Sequence, residues 1–121
     1  MSDAPLILTV DHNSRNQELL AQVLQRHGYR VLQVLALADL DQVLESPEGV
    51  SLALVDIGGF DRTVWDRCER LRAERIPFLV LSPRHSVAIQ QASLSHGARG
   101  VAVKPLAIRD LLGLIEAMLE K

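Results

Sequence analysis

Short runs of apolar residues recur along the chain, separated by segments in which apolar residues return every three or four positions. The runs cover residues 6–10, 30–34, 52–55, 78–81 and 100–103. Most are continuously apolar rather than alternating, which is typical of parallel strands that are buried on both faces. The pattern therefore predicts five strands inside a parallel sheet.

The segments between and after these runs predict five helices, which are not equally well marked. The last helix is the clearest, with apolar residues at helical spacing at Ile108, Leu111, Leu112, Ile115 and Leu119. The first ends near Gly28, because glycine favours the position just past a helix. The second covers about residues 38–45 and the third includes residues 64–71. The fourth, residues 87–96, is the weakest, because its inward positions are small or polar.

This regular alternation of strands and helices predicts a doubly wound α/β fold, (βα)5, in which helices cover both faces of a parallel sheet as a three-layer sandwich. No linker or repeat interrupts the order, so we expect a single domain over residues 1–121. In such sheets ligands bind outside the carboxyl ends of the strands. The residues that follow the strands are therefore the candidates for function.

Composition narrows the classes of function. A net charge of -2 argues against nucleic acid or an anionic membrane as a direct partner. The single cysteine, Cys68, excludes an intramolecular disulfide and a multi-cysteine metal site. Neither a secretory signal nor an apolar run long enough to span a membrane is visible. We therefore expect a cytoplasmic protein.

Polar residues follow four of the five predicted strands. They are Asp11 and His12 after the first, Asp56 after the third, Ser82 after the fourth and Lys104 after the fifth. Each of them alone is more often a turn former, a helix cap or a solvated surface group. Taken together, they place two carboxylates, a hydroxyl and an ammonium at one edge of the sheet.

The segments that carry these residues resemble the receiver domain of bacterial two-component response regulators, over nearly the whole chain. The matching segments are residues 6–11, 52–56, 78–82 and 97–105. The last is the most specific, since Gly97-Ala98 is followed after five residues by Lys104-Pro105. The resemblance, which extends to chemotaxis receivers, implies a flavodoxin-like sheet in the order 2-1-3-4-5.

The resemblance also implies roles for the residues at the strand ends. Asp56 is expected to accept a phosphoryl group from a histidine kinase or phosphotransfer protein, and the chain would at most assist its own phosphorylation and dephosphorylation rather than act as an enzyme. Ser82 is expected to bond the phosphoryl group and Lys104 to pair with its oxygens, with a cis bond before Pro105. Phosphoryl transfer depends on such positioning and on charge neutralisation.

A metal ion is the next implication, and here the sequence departs from the family. The expected Mg²⁺ ligands are Asp11, Asp56 and the backbone carbonyl of Gly58, but His12 stands where the family has a second acid. Because Mg²⁺ prefers oxygen ligands, we expect weakened Mg²⁺ binding. Three readings of His12 stay open: a ligand to another metal, a cation beside Asp56, or a residue facing solvent.

Two further departures concern the response to phosphorylation. Gly59 and Phe60 replace the usual Met-Pro pair, so Phe60 either covers the site or packs beneath the third helix. Val101 replaces an aromatic residue whose rotamer commonly reports phosphorylation. Because valine has little rotameric freedom, coupling through an aromatic flip is not available.

Two functions follow from these observations. The first is a phosphorylatable receiver that signals to a downstream protein through protein contacts. The alternative is a pseudo-receiver, a phosphorylation-independent interaction module. In either case helix four, strand five and helix five form a candidate dimer face that includes Arg99, Arg109 and Glu116. A nucleotide-binding enzyme is not supported, because no glycine-rich phosphate loop follows the first strand.

Overall fold

The computed structural model describes residues 4–120 and shows a parallel sheet between two layers of helices. The strands are β1 (Leu6–Val10), β2 (Arg30–Val34), β3 (Val50–Asp56), β4 (Phe78–Ser82) and β5 (Gly100–Val103). The helices are α1 (Ser14–Arg26), α2 (Leu37–Glu45), α3 (Val64–Ala73), α4 (Val87–Ser95) and α5 (Ile108–Glu120). The domain predicted for residues 1–121 includes residues 1–3 and 121, which lie outside the described residues.

The sheet order is β2-β1-β3-β4-β5, and every neighbouring pair of strands is parallel. This confirms the predicted doubly wound, flavodoxin-like fold. The chain runs outward from β1 to β2 and then returns to the other side of β1 with β3. The carboxyl ends of β1 and β3 are therefore neighbours at the point where the strand order reverses, which is where such sheets form a crevice.

Both faces of the sheet are buried, which explains why the strands are continuously apolar. On one face Leu8, Val55 and Phe78 pack with residues of α2 and α3. On the other face Ile7, Leu54 and neighbouring strand residues pack with α1 and α5. Successive side chains of a strand point to opposite faces, so each strand needs apolar residues at odd and even positions alike.

Two strands extend beyond the predicted ends. β3 includes Asp56 and β4 includes Ser82, which hydropathy placed just past the strands. The ladder continues because Asp56 is paired with Leu81 and Ser82 with Val103. Hydrophobicity marks where apolar side chains end, whereas a strand ends where its backbone pairing ends. The two polar residues are thus held by the sheet itself.

Helix α4 has the shallowest packing of the helices, as its weak sequence pattern indicates. Ser93 is the only buried residue among its nine, all of which are described, and its hydroxyl donates to the carbonyl of Ile89 at 2.7 Å. The helix begins after Ser86, whose side chain accepts from the Ile89 N–H, and it ends one residue earlier than predicted. No helix within residues 4–120 is long and apolar enough to cross a membrane.

Candidate functional site

A cleft at the carboxyl edge of the sheet contains Asp11, Asp56 and Lys104 together. Asp56 is the last residue of β3, Asp11 follows β1, and Lys104 follows β5. The Lys104 ammonium donates to Asp56 Oδ2 at 2.5 Å, and the Asp56 side chain is only 6% exposed. The strand ends thus bring these three charged groups together, and the Lys104-Pro105 peptide bond is cis.

Backbone contacts fix the Asp56 carboxylate from its other side. Its Oδ1 accepts from the Gly58 N–H at 2.9 Å, so both oxygens have a donor. A side chain at position 58 would crowd this oxygen, because an added Cβ would lie 3.2 Å from Oδ1 and 3.5 Å from Pro83 Cγ. A side chain at position 58 would therefore have little free space above Asp56.

Asp11 is a second buried carboxylate in the same cleft. Burial raises its pKa, and the charge of Asp56 raises it further, against the lowering effects of the hydrogen bond from the Asn13 N–H and of Lys104. The Asn13 N–H donates to Asp11 Oδ1 at 2.9 Å. Two carboxylates thus face one ammonium, and this arrangement leaves an excess of negative charge in the cleft.

The burial of Asp11 predicts a pH dependence of stability. Because its pKa is raised in the folded chain above 3.8, the folded state holds the proton more tightly than the unfolded state. The unfolding free energy should therefore fall as the pH rises from about 3.8 through the folded pKa, and the loss should persist at neutral pH. Asp11→Asn should remove this dependence and be more stable than the native chain at pH 7, in urea unfolding measured across the pH range.

The exposed carboxylate Asp39 provides the control for this measurement. Asp39→Asn should leave the pH profile of the native chain almost unchanged. If Asp11→Asn also followed the native profile, burial of Asp11 would not be a source of the pH dependence.

Ser82 is buried beside the cleft, but its hydroxyl is bonded within its own turn. The hydroxyl donates to the Arg84 carbonyl at 2.7 Å and accepts from the Arg84 N–H at 3.3 Å. The Arg84 side chain is exposed. In this conformation Ser82 therefore does not contact Asp56, and a bond from Ser82 to a group on Asp56 requires rotation of the hydroxyl.

His12 is exposed to solvent, as one of the three readings expected, and its ring lies over the turn that follows β3. Its ring and that of Phe60 meet edge to face, with centroids 5.9 Å apart and planes at 66°. Phe60 also packs against the core cluster beneath α3, so it contributes to the core and touches His12 at once. Within residues 4–120, His12 forms no ion pair with Asp56, whose charged partner is Lys104.

The oxygen donors of the cleft fit a hard divalent cation, although incompletely. The carboxylates of Asp11 and Asp56 both line the cleft and are ligands of the kind that Mg²⁺ prefers, whereas the Gly58 carbonyl stays a predicted ligand. No group of three or more histidine, cysteine, aspartate or glutamate side chains suited to a metal occurs within the described part of the chain. Weakened Mg²⁺ binding stays a prediction.

Sequence analysis did not identify Gln17 as part of the site. This fully buried residue of α1 donates through Nε2 to the carbonyls of Thr9, Asp11 and Val34, at 3.0, 3.2 and 2.7 Å. Its Oε1 accepts from the Thr9 hydroxyl at 2.6 Å. Gln17 thereby fixes the backbone at the ends of β1 and β2. It lies on the buried stripe of α1, and a glutamine on such a stripe is the signal that would have revealed it.

The cleft also has an apolar part that sequence analysis did not predict. The whole cleft measures about 230 Å³, and its apolar part lies between α1 and the segment from β5 to the start of α5. Leu19 and Ile108 line it and are 46% and 44% exposed. These two side chains leave apolar surface exposed at the rim of the charged site.

The predicted dimer face carries exposed charges. Arg99, Arg109 and Glu116 are all exposed, and Val101 is half-buried on β5. Glu116 lies close enough to Tyr29 to add to the effect of burial, which raises the pKa of that phenol. The dimer itself stays a prediction.

Comparisons of the sequence with known proteins match it to two transcriptional regulatory proteins. No family model matches the chain. The chain is 32% identical to the transcriptional regulatory protein GltR of Pseudomonas aeruginosa and 30% identical to the transcriptional regulatory protein HprR of Escherichia coli. Each alignment covers 95% of this chain but 49% and 52% of the respective relative. The chain therefore spans about half the length of the curated relatives that it matches.

Solved structures provide a second comparison. A CheY-like response regulator receiver domain from Methanospirillum hungatei superposes with a TM-score of 0.88 at 26% identity, over 98% of this chain and 95% of that one. A two-component response regulator from Clostridium difficile gives 0.88 at 19% identity, over 97% of each chain. The similarity to the Clostridium difficile protein concerns the fold alone, whereas the similarity to the Methanospirillum hungatei protein extends to the sequence.

Proposed function

Because this chain belongs to the receiver domains of two-component response regulators, as an atypical member, we propose that it accepts a phosphoryl group on Asp56. The observation that carries the proposal is the ion pair between Lys104 and Asp56 at the carboxyl edge of the sheet. A buried carboxylate with a fixed ammonium beside it is suited to attack phosphorus and to neutralise the charge of the product.

The proposed reaction transfers phosphorus from nitrogen to oxygen. A carboxylate oxygen of Asp56 attacks the phosphorus of a phosphohistidine on a histidine kinase or phosphotransfer protein. The P–N bond breaks, the imidazole leaves, and an acyl phosphate forms on Asp56. Lys104 pairs with the oxygens of the transferred group, where charge develops. The chain is then a substrate that assists its own modification rather than an enzyme with a separate substrate.

A divalent cation would support this reaction. Asp11, Asp56 and the Gly58 carbonyl would hold Mg²⁺, which would neutralise phosphoryl charge and orient the donor. The excess negative charge of the two carboxylates favours such a cation, and the absence of an acid at position 12 weakens its binding.

The response to phosphorylation would begin at Ser82. Its hydroxyl would turn from the Arg84 carbonyl to a phosphoryl oxygen, which would free the loop between β4 and α4. Since Val101 has no aromatic ring to flip, we propose that this loop transmits the change. A downstream protein, or a second copy of the chain at α4, β5 and α5, would then bind the altered surface in the cytoplasm.

The phosphoryl donor would approach across the apolar part of the cleft. Leu19 and Ile108 flank the opening that leads to Asp56, so a partner that seats there would bring its histidine to the carboxylate. Docking on this apolar surface requires no basic patch on the chain. The net charge of -2 agrees with such a mode of binding.

A second candidate function is an interaction module that works without phosphorylation. The packing of His12 against Phe60, at the position where the family has an acid, favours this alternative. The Lys104–Asp56 pair and the buried Ser82 favour the first, because an interaction module has no need of either.

Intact mass after incubation with a small acyl phosphate and Mg²⁺ tests the proposal. The chain should gain the mass of one phosphoryl group, and hydroxylamine should remove it, because acyl phosphates react with this nucleophile. No gain even at high Mg²⁺ or Mn²⁺ would reject phosphorylation and leave the interaction module.

The proposed role of position 12 in Mg²⁺ binding has a direct test. His12→Asp should tighten Mg²⁺ binding by about ten-fold or more, since a carboxylate adds a preferred oxygen ligand, and changes around a metal commonly have effects of this size. The half-buried Trp65, the single tryptophan of the chain, provides a fluorescence signal for the titration. His85→Asp changes an exposed histidine outside the cleft and should have no effect; equal affinities for all three chains would show that His12 does not limit Mg²⁺ binding.

A further inference from the structure

We propose that the His12 ring packs on the turn beside Asp56 and orders it. This contact joins two loops that a bound cation would otherwise join, and it does so without a metal ion. The loops are the one after β1, which carries Asp11, and the turn after β3, which carries the Gly58 carbonyl. This inference deepens the proposed function and rests on it for its biological meaning. It names His12 as a positioning residue for the Asp56 site.

The first observation is the contact between His12 and Gly59. A Cβ added to Gly59 would lie 2.1 Å from His12 Cε1, 2.3 Å from Nδ1 and 2.6 Å from Nε2. The imidazole therefore occupies the space that a side chain at position 59 would need. This residue also has φ of +86°, in the left-handed region that glycine adopts without strain. Position 59 thus favours glycine for its backbone, and a side chain there would also displace the His12 ring from the turn.

The second observation is that the turn under the ring is short and well defined. The Phe60 N–H donates to the Ile57 carbonyl at 3.3 Å, which closes a four-residue turn with Gly59 in its third position. The Phe60 ring meets the His12 ring edge to face and is itself packed on the core. His12 therefore holds both the backbone of the turn and the side chain that anchors it.

The third observation is that the loop carrying His12 is itself fixed. Gln17 donates to the Asp11 carbonyl, and the Asp11 side chain accepts from the Asn13 N–H. The Asn13 side chain in turn accepts from the Asn16 N–H at the start of α1. The backbone that carries His12 is thus bonded on both sides, and the exposed ring itself is positioned by its contacts with Gly59 and Phe60.

These contacts have a consequence for Asp56. The Gly58 N–H, within the same turn, donates to Asp56 Oδ1. A turn held by His12 therefore keeps this donor on the carboxylate before any cation arrives. In a site with a carboxylate at position 12, the same order would depend on a metal ion bound between the two loops.

Amide hydrogen exchange of Gly58 and Phe60, whose N–H groups donate within the turn, tests the proposal in the full chain, at one pH and without phosphoryl donor. His12→Ala should exchange between about two- and ten-fold faster at these amides in the absence of metal, the range expected for the loss of one aromatic contact. His12→Phe should exchange at nearly the native rate, because a phenyl ring can pack on Gly59 and Phe60. His85→Ala, which removes an exposed histidine elsewhere, should match the native chain.

His12→Asp separates packing from metal binding. Without metal its turn should exchange as fast as that of His12→Ala, and Mg²⁺ alone should slow the exchange again. The native chain should show little change on addition of Mg²⁺. A native turn that becomes ordered only with Mg²⁺ would overturn the proposal.

A second measurement tests the contact without relying on exchange rates. Gly59→Ala should destabilise the native chain more than it destabilises the His12→Ala chain, since removal of the ring relieves the clash. Equal losses of unfolding free energy in both backgrounds would overturn the proposal. Amide exchange in His12→Phe that is as fast as in His12→Ala would overturn it as well. Because none of these measurements uses phosphorylation, a failure to phosphorylate Asp56 would leave their outcome unaffected, and the reverse also holds.

Discussion

Replacement of Asp56 by asparagine is expected to abolish phosphoryl incorporation from an acyl phosphate. The amide has nearly the shape of the carboxylate but lacks a nucleophilic oxygen with the charge needed to attack phosphorus. Asp56 is the buried carboxylate that is bonded to Lys104, and an exposed carboxylate elsewhere on the chain has no such fixed ammonium beside it in this cleft. Intact mass should show full incorporation in the native chain and none in Asp56→Asn.

Asp11→Asn is the matched control, because Asp11 is the other buried carboxylate of the cleft. This variant should still accept the group on Asp56, although more slowly, because one of the oxygen ligands for Mg²⁺ is lost. The opposite result, with full loss in Asp11→Asn and retention in Asp56→Asn, would move the acceptor to Asp11.

Lys104→Ala is expected to slow phosphoryl incorporation by roughly 10²–10³-fold, the range seen when one fixed group that stabilises transition-state charge is removed. The ammonium lies 2.5 Å from the Asp56 carboxylate, and its position at the end of β5 keeps it there. The initial rate of incorporation, followed by intact mass, measures the effect. Circular dichroism of the same sample shows whether the variant is folded.

Two variants make the Lys104 measurement specific. Lys104→Arg retains a positive charge but carries it on a larger, planar group, so its rate should fall between those of the native chain and Lys104→Ala. Arg84→Ala removes an exposed cation that does not bond Asp56 and should change the rate little. A native rate in Lys104→Ala would mean that Lys104 does not stabilise the transferred group.

The fold was predictable because its strands are buried on both faces. Continuous apolar runs mark such strands, and their alternation with helices restricts the sheet to a parallel, doubly wound form. The ends of β3 and β4 were less predictable, because Asp56 and Ser82 continue the backbone ladder after the last apolar side chain. The resemblance to receivers, rather than periodicity, provided the strand order.

The charged part of the site was predictable for a related reason. Parallel strands bring their carboxyl ends to one edge, so residues that follow β1, β3 and β5 must be near one another. The contact between Lys104 and Asp56 follows from this rule. The orientation of the Ser82 hydroxyl does not follow from this rule, because its bond to the Arg84 carbonyl depends on the local shape of a turn.

The position of His12 was beyond sequence analysis. Its ring packs on a turn whose shape depends on the φ of Gly59 and on the core contact of Phe60, far along the chain. Neither residue indicates the other in the sequence. Gln17 was missed for a different reason: hydropathy does not predict that a glutamine lies on the buried face of α1 beside Ala21 and Leu24.

Helix α4 is the helix that could leave the sheet at the lowest cost in hydrophobic free energy. Its one buried side chain is a serine already bonded within the helix, whereas α5 buries Leu111 and Ile115. Little apolar area is therefore exposed when α4 moves, and its opening lies at the low end of the local unfolding energies of the domain. We therefore expect conformers with α4 displaced to be a minor part of the native ensemble, which a partner or modification increases in proportion to its preference for them.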